Sequence, residues 1–269
     1  MTTVKVGVVG ASGETGQSVV DALLDSSTAM FKKGNVTTMT HPQSLSKPVD
    51  VQLQKRGVKV VRVDLRGPFD KLLELHSGID VVISTIFFNS LDDEIPLADA
   101  AKAAGVKRFA QSALMIVRTP RRVVDFREKK EQKLNYIQMI RLPHRDIPIG
   151  LDGNRYVAKI IVDPRTLNKR VHVDNEVYTQ NRIYDVVERL SGKSLPRKYM
   201  LSPALLAETR AALKLYPTDF GGLGTFINSQ LFYSWGIRGD NTPEYAEYLG
   251  YLSGEELYPG FEYIRFEDC

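Results

Sequence analysis

A glycine-spaced turn near the start of the chain constrains the fold more than any other feature. Val4-Lys5-Val6-Gly7-Val8-Val9 is a short run rich in β-branched side chains, and it leads directly into Gly10-Ala11-Ser12-Gly13-Glu14-Thr15-Gly16. Apolar residues then recur as Val19, Val20, Leu23 and Leu24, so residues 18–24 read as a helix. In a strand–turn–helix each glycine has its own task. The first permits the tight turn, the second lets the backbone approach a pyrophosphate, and the third lets the helix pack on its strand. The start of the helix offers free N–H groups and a partial positive charge to phosphate oxygens.

Four more strand-like runs follow, at 36–39, 58–63, 80–84 and 108–112, with an alanine-rich helix at 96–104 that stops at Gly105. Strands alternating with helices imply right-handed crossovers and a parallel sheet. The expectation is an α/β, Rossmann-type doubly wound sheet over residues 1–150. Residues 151–269 form a smaller, α-rich region packed on it. There, helices are expected at 123–140 (crossing the boundary from the first half), 155–162, 179–190 and 203–215, and strands at 170–173 and 198–201. Gly221-Gly222-Leu223-Gly224 reads as a flexible break.

Composition narrows the function classes. Among 269 residues, no stretch reaches the ~20 apolar residues a membrane span needs, so no membrane contact is expected. The single cysteine, Cys269, excludes an internal disulfide and points to a reducing, cytoplasmic setting. His41, His76, His144 and His172 show no metal-ligand spacing, so no metal is expected. The net charge is +4, and the basic run at 118–133 is interleaved with Asp125, Glu128 and Glu131. Without a helix-turn-helix or zinc-finger pattern, that run reads as a solvated helix face, and no nucleic-acid contact is expected.

The second strand decides the cofactor. It ends Thr38-Met39-Thr40-His41-Pro42, with Lys47 six residues past His41. An NAD site wants an acidic residue at that strand end; an NADP site wants a cation for the 2′-phosphate. His41 and Lys47 therefore favour NADP.

Several segments together resemble one family. They are the glycine motif, Gly78-Ile79-Asp80-Val81-Val82-Ile83-Ser84, Ala103-Ala104-Gly105-Val106-Lys107-Arg108-Phe109, and Tyr156 to Lys169 with its Asp163-Pro164-Arg165-Thr166-Leu167-Asn168-Lys169. Trp235-Gly236-Ile237-Arg238-Gly239-Asp240 adds to the set. They look like the NmrA-like, isoflavone-reductase-like branch of the atypical short-chain dehydrogenases, particularly its fungal members. The resemblance implies a substrate region after the Rossmann unit, with the active site between them. It further implies NADPH-dependent reduction of a small aromatic or secondary-metabolite substrate. Carried over to this chain, Gly10, Ser12, Gly13, Thr15 and Gly16 hold the pyrophosphate. His41 and Lys47 lie near the 2′-phosphate, Thr85, Ile86 and Phe87 line the nicotinamide side, and Ser112 matches a turn residue that lines the cofactor. The catalytic lysine falls on Lys130, or on Lys129 if the alignment shifts by one. The chain is expected to act as a monomer or homodimer.

Lys130 also has a rationale of its own. A lysine transfers protons near neutral pH when burial or cationic neighbours lower its pKa. Arg127 and Lys133 stand three residues to either side of it on one helix face. Against the family pattern, His41 replaces a common arginine, and Ala110-Gln111-Ser112-Ala113-Leu114-Met115 replaces a Pro-Ser turn. After Ile140 the chain passes through Arg141-Leu142-Pro143-His144-Arg145 almost directly to Asp152-Gly153-Asn154. That shortening is expected to remove a sheet strand and a pocket wall. Two functions stay open: the reductase, and a non-catalytic NADP-binding regulator or degenerate paralogue.

Overall fold

A computed structural model describes residues 4–24, 31, 33–42, 47–112, 116–145, 154–215, 220–263 and 265–268. Six parallel strands form the main sheet: β1 (Val6–Val9), β2 (Val36–Thr40), β3 (Lys59–Arg62), β4 (Val81–Ser84), β5 (Arg108–Ala110) and β6 (His144–Arg145). Their order is β3-β2-β1-β4-β5-β6, with the topological switch between β1 and β4. Ligands of open α/β sheets sit beyond the strand ends at such a point.

The central strands read as almost continuous apolar runs because both faces are covered. Alternation divides their side chains between two cores. Val6, Val8, Val81 and Ile83 face a core built with α1 (Glu14–Leu24) and α2 (Pro48–Lys55). Val9, Val82 and Phe109 face a second core with α3 (Phe69–His76), α4 (Glu94–Ala103) and α5 (Asp125–Met139). Helix α6 (Asn154–Ile160) packs on α1, and its Tyr156, Val157 and Ile160 complete the first core. The hydrophobic interior thus runs through into the chain's second half.

Beyond it, β7 (Val171–His172) pairs in parallel with β8 (Leu252–Ser253). Around them lie α7 (Gln180–Ser191), α8 (Ser202–Leu215), α9 (Phe220–Phe232), α10 (Pro243–Tyr248) and α11 (Gly254–Leu257). No helix among the described residues is long and apolar enough to cross a membrane.

Four local expectations are corrected. The strand expected to be lost after Ile140 is present: β6 pairs Phe109 with His144 and Ala110 with Arg145. The outer edge of β5 needs partners, and the Phe109 N–H donates to Pro143 O at 2.8 Å. The glycine cluster at 221–224 lies inside α9 rather than in a break. Packing of Phe226 and Leu231, both buried, outweighs the helix-breaking tendency of glycine. Residues 198–201 join no sheet. Helix α1 begins at Glu14, four residues earlier than the apolar pattern suggested, because the glycine turn itself forms its first turn.

Gly16 lies inside that first turn. A Cβ there would stand 2.4 Å from Gly10 O and 2.6 Å from Ala11 Cα. Gly16→Ala is expected to cost about 3 kcal/mol or more, at the severe end of overpacking. Gly13→Ala, whose nearest contact would be 3.5 Å, should stay within about 1 kcal/mol of wild type. Urea denaturation of both variants checks the contrast.

Candidate cofactor and active site

The three glycines of the turn answer to different constraints. Gly10 has φ +85°, and a Cβ on it would meet Thr85 O at 2.8 Å. Gly16 is required by the helix–strand contact. Gly13 is exposed, and only Gly10 O lies within 4 Å of its Cβ position. The folded chain leaves that space open, as an approaching pyrophosphate requires. Ser12 and Thr15, both half-buried, flank it. The Ser12 carbonyl accepts from Gln17 Nε2 at 3.4 Å.

The exits of β4 and β5 are tied to this turn by a chain of hydrogen bonds. The Thr85 hydroxyl and its N–H both donate to Val9 O, at 2.7 and 2.9 Å. Next to it, Ile86 O accepts from the Ser112 hydroxyl at 2.8 Å. The Ser112 N–H in turn donates to Glu94 Oε1 at 2.7 Å. Phe87 follows with its ring largely exposed. Gly10, Thr85, Ile86 and Ser112 therefore form one continuous rim along the strand ends.

Glu94 is 1% exposed, and burial pushes its carboxyl above the ordinary range. The Ser112 N–H, the nearby Ser84 hydroxyl and the ammonium groups of Lys130 and Lys133 partly offset that rise. Lys130 itself is 6% exposed, with Nζ 5.8 Å from the centre of the Phe126 ring. Lys129 is exposed on the other side of α5.

The electrostatic rationale for Lys130 needs correction. Arg127 pairs with Glu131 at 3.1 Å and Lys133 with Asp92 at 2.5 Å, so neither flanking cation stands without a counter-charge. Burial, rather than crowding by like charges, is what sets Lys130 apart. Glu131 also takes Arg170 at 2.7 Å and lies 3.6 Å from Arg118. One carboxylate thereby ties α5 to the loop before it and to the approach to β7.

His41 and Lys47 are exposed beyond β2, and Lys47 is the N-cap residue of α2. The nearby acid Asp50 is buried and accepts from the Thr40 hydroxyl at 3.1 Å. The exposed His41 and Lys47, beside an acid turned inward, fit a 2′-phosphate. No group of three or more potential metal ligands occurs among the described residues.

Sequence reasoning missed Glu94, Gln111 and Glu131. Glu94 reads as one of three consecutive acids at a helix start, and nothing local tells that it turns inward. Gln111 carried a signal, a polar residue directly after the buried pair Phe109 and Ala110. It is 1% exposed, and neither side-chain polar atom has a hydrogen-bond partner among the described residues.

Removing the Glu94 acceptor tests the clamp. Glu94→Leu should cost about 1–3 kcal/mol at any pH, because it leaves the buried Ser112 N–H unpaired. Glu94→Gln keeps an acceptor. With the native carboxyl raised, the unfolded chain loses that proton first as pH climbs. Wild type should therefore lose stability relative to Glu94→Gln as pH rises above about 4. Urea midpoints across that range check it, and a difference flat with pH would contradict the raised carboxyl.

Residues 2–146 match the model of the NmrA-like family. Over 310 aligned positions the chain is 45% identical to asnovolin J 5′,6′-dehydrogenase nvfM of Aspergillus novofumigatus (strain IBT 16806), covering 99% of this chain and 94% of that protein. It is 26% identical to phenylcoumaran benzylic ether reductase TP7 of Nicotiana tabacum, covering 98% and 96%. Its fold is similar to that of leucoanthocyanidin reductase from Vitis vinifera, solved as a binary complex with NADPH. The TM-score is 0.82 at 21% identity, covering 98% and 97% of the two chains. With the switch-point sheet, the glycine turn and this similarity along its whole length, the chain belongs to the NmrA-like family.

Proposed function

We propose that this chain is an NADP(H)-dependent oxidoreductase of a small aromatic or other secondary-metabolite compound, with Lys130 as its proton-transfer residue. The observation that carries the reading is a buried lysine beside the rim where the exits of β4 and β5 meet the glycine turn. The relatives support it: their names describe a dehydrogenase and an ether reductase, and the similar grape enzyme holds NADPH.

When bound, the dinucleotide supplies or takes up a hydride. The remaining work falls to the chain's own residues. The open backbone at Gly13, with Ser12, Thr15 and the first N–H groups of α1, binds the pyrophosphate. His41 and Lys47 meet the 2′-phosphate. Thr85, Ile86 and Phe87 line the nicotinamide side, and Ser112 fixes the Ile86 carbonyl. Lys130 gives a proton to the substrate in reduction or removes one in dehydrogenation, since the same group serves both directions.

A second reading has its own support. The alignment with the fungal dehydrogenase runs over 310 positions, while this chain has 269 residues. If the shortening after β6 thins the substrate pocket, the protein binds NADP without turning over and serves as a sensor.

Gly13→Val should fold, because the structure leaves room for its Cβ, and should abolish nucleotide binding. Calorimetric titration decides, and wild-type affinity in the variant would remove the cofactor assignment. In the same assay Lys47→Ala should weaken NADP binding by about 1.5–3 kcal/mol and leave NAD binding unmoved.

Lys130→Met should leave NADP affinity near normal and lower turnover at least about a hundredfold, within the range of general acid–base catalysis. Lys129→Met should be mild. NADPH oxidation against a panel of aromatic ketones and enones reads both. Turnover lost in Lys129→Met instead would move the role by one residue. NADP binding with no turnover in wild type favours the sensor.

A further inference from the structure

Two side-chain contacts hold α5 beside the start and middle of α4, and Glu94 lies between them in the chain. Lys133 pairs with Asp92, and the Tyr136 hydroxyl donates to Asp99 Oδ1 at 2.7 Å. On α5, Lys130 stands on one face with Leu134 and Ile137, four and seven residues further on. Ile137 is buried in the core that holds Leu97, Ala98 and Ala101 of α4. That face therefore carries Lys130, 6% exposed, towards the first residue of α4, Glu94, which is 1% exposed.

A carboxylate cut off from water needs a counter-charge as well as hydrogen-bond donors. The donors come from the two strand ends, as the Ser112 N–H at 2.7 Å and the nearby Ser84 hydroxyl. The ammonium groups that act on Glu94 are those of Lys130 and Lys133, both from α5. Lys133 already has Asp92. The other acids around the pair have partners of their own. Asp93 takes Arg66 at 2.7 Å, and Glu131 takes Arg127 at 3.1 Å and Arg170 at 2.7 Å. Glu128 accepts the Arg122 N–H. Glu94 is thus answered by Lys130, a buried acid by a buried base.

We propose that Glu94 is the positioning residue of the proton-transfer lysine: its carboxylate holds Lys130 as an ammonium at the strand-exit rim and sets the pH at which that proton leaves. This rests on the role proposed above for Lys130 and extends the site by one residue. The same carboxyl fixes Ser112 and, through it, the Ile86 carbonyl, so one side chain registers the rim and the lysine together. A residue that served only to accept the Ser112 N–H would have no such reach. Glutamine would replace it with no effect on Lys130. The coupling is also reciprocal, so Lys130 eases the ionisation of Glu94 by as much as Glu94 favours the ammonium.

Carbon-13 placed at lysine Cε in the full chain reports each lysine's titration by NMR, without nucleotide or substrate. Lys130→Met and Lys129→Met assign the two signals. In Glu94→Gln, which keeps an acceptor for Ser112, the Lys130 midpoint should fall by at least about 1 pH unit, the effect of losing a close opposite charge. The exposed Lys129 should titrate alike in both proteins. A Lys130 midpoint that stays or rises in Glu94→Gln overturns the proposal. If that variant does not fold, the reciprocal effect decides. In Lys130→Met the Glu94 carboxyl loses its cation, and its proton is held more tightly in the folded chain. Urea midpoints should then fall more steeply than in wild type as pH rises above about 4. An equal slope overturns the proposal. Turnover enters neither measurement. Retained turnover in Lys130→Met would remove the catalytic role of that lysine, an outcome these titrations do not depend on.

Discussion

Helix α1 can reach the end of β1 only because no side chain stands at Gly16, where a Cβ would lie 2.4 Å from Gly10 O. That close approach seats Val19, Val20 and Leu23 on the sheet and aims the helix N-terminus at the switch point between β1 and β4. The same turn touches β4, since Thr85 Oγ1 would lie 2.8 Å from a Cβ on Gly16. One constraint thus organises the first core, the sheet centre and the backbone of the glycine turn. Gly13 lies between these contacts; its N–H donates to Gly10 O at 3.1 Å, and a Cβ on it would meet nothing closer than that oxygen, at 3.5 Å.

The rim beyond the strands depends on buried polar groups more than on apolar packing. Burying a carboxyl such as Glu94 is unfavourable unless it is protonated or well partnered. Here it accepts from Ser112, which fixes Ile86, and it lies within the field of Lys130. Glu131 does similar work from α5, joining residues 118, 127 and 170 through one carboxylate. Ion pairs of this kind add little net stability, but they hold a helix in one rotation and depth. The rotation matters because it buries Lys130 and turns Lys129 to solvent.

In the second half, tertiary packing overrides local tendency more often. The glycine-rich start of α9 is helical because its later turns are buried against α8 and α5. The stretch after Ile140, where a strand was expected to be lost, supplies one, because β5 would otherwise leave its outer edge unpaired. Several tail aromatics are packing residues: Tyr258 and Phe261 lie against Tyr156, with Phe261 only 3.9 Å from its ring centre.

By itself the sequence determined the α/β class, the central strands, the glycine turn and the family. Those features are local: apolar runs covered on both faces, and glycines whose spacing answers to backbone geometry. It also carried the lysine helix and the contrast between Lys129 and Lys130 as two candidates. Only the tertiary structure decided which lysine is buried, because burial depends on the rotation that Glu131 and the α4 packing impose on α5. Only it turned Glu94 inward, since that carboxyl's partners come from β4, β5 and α5, far apart along the chain.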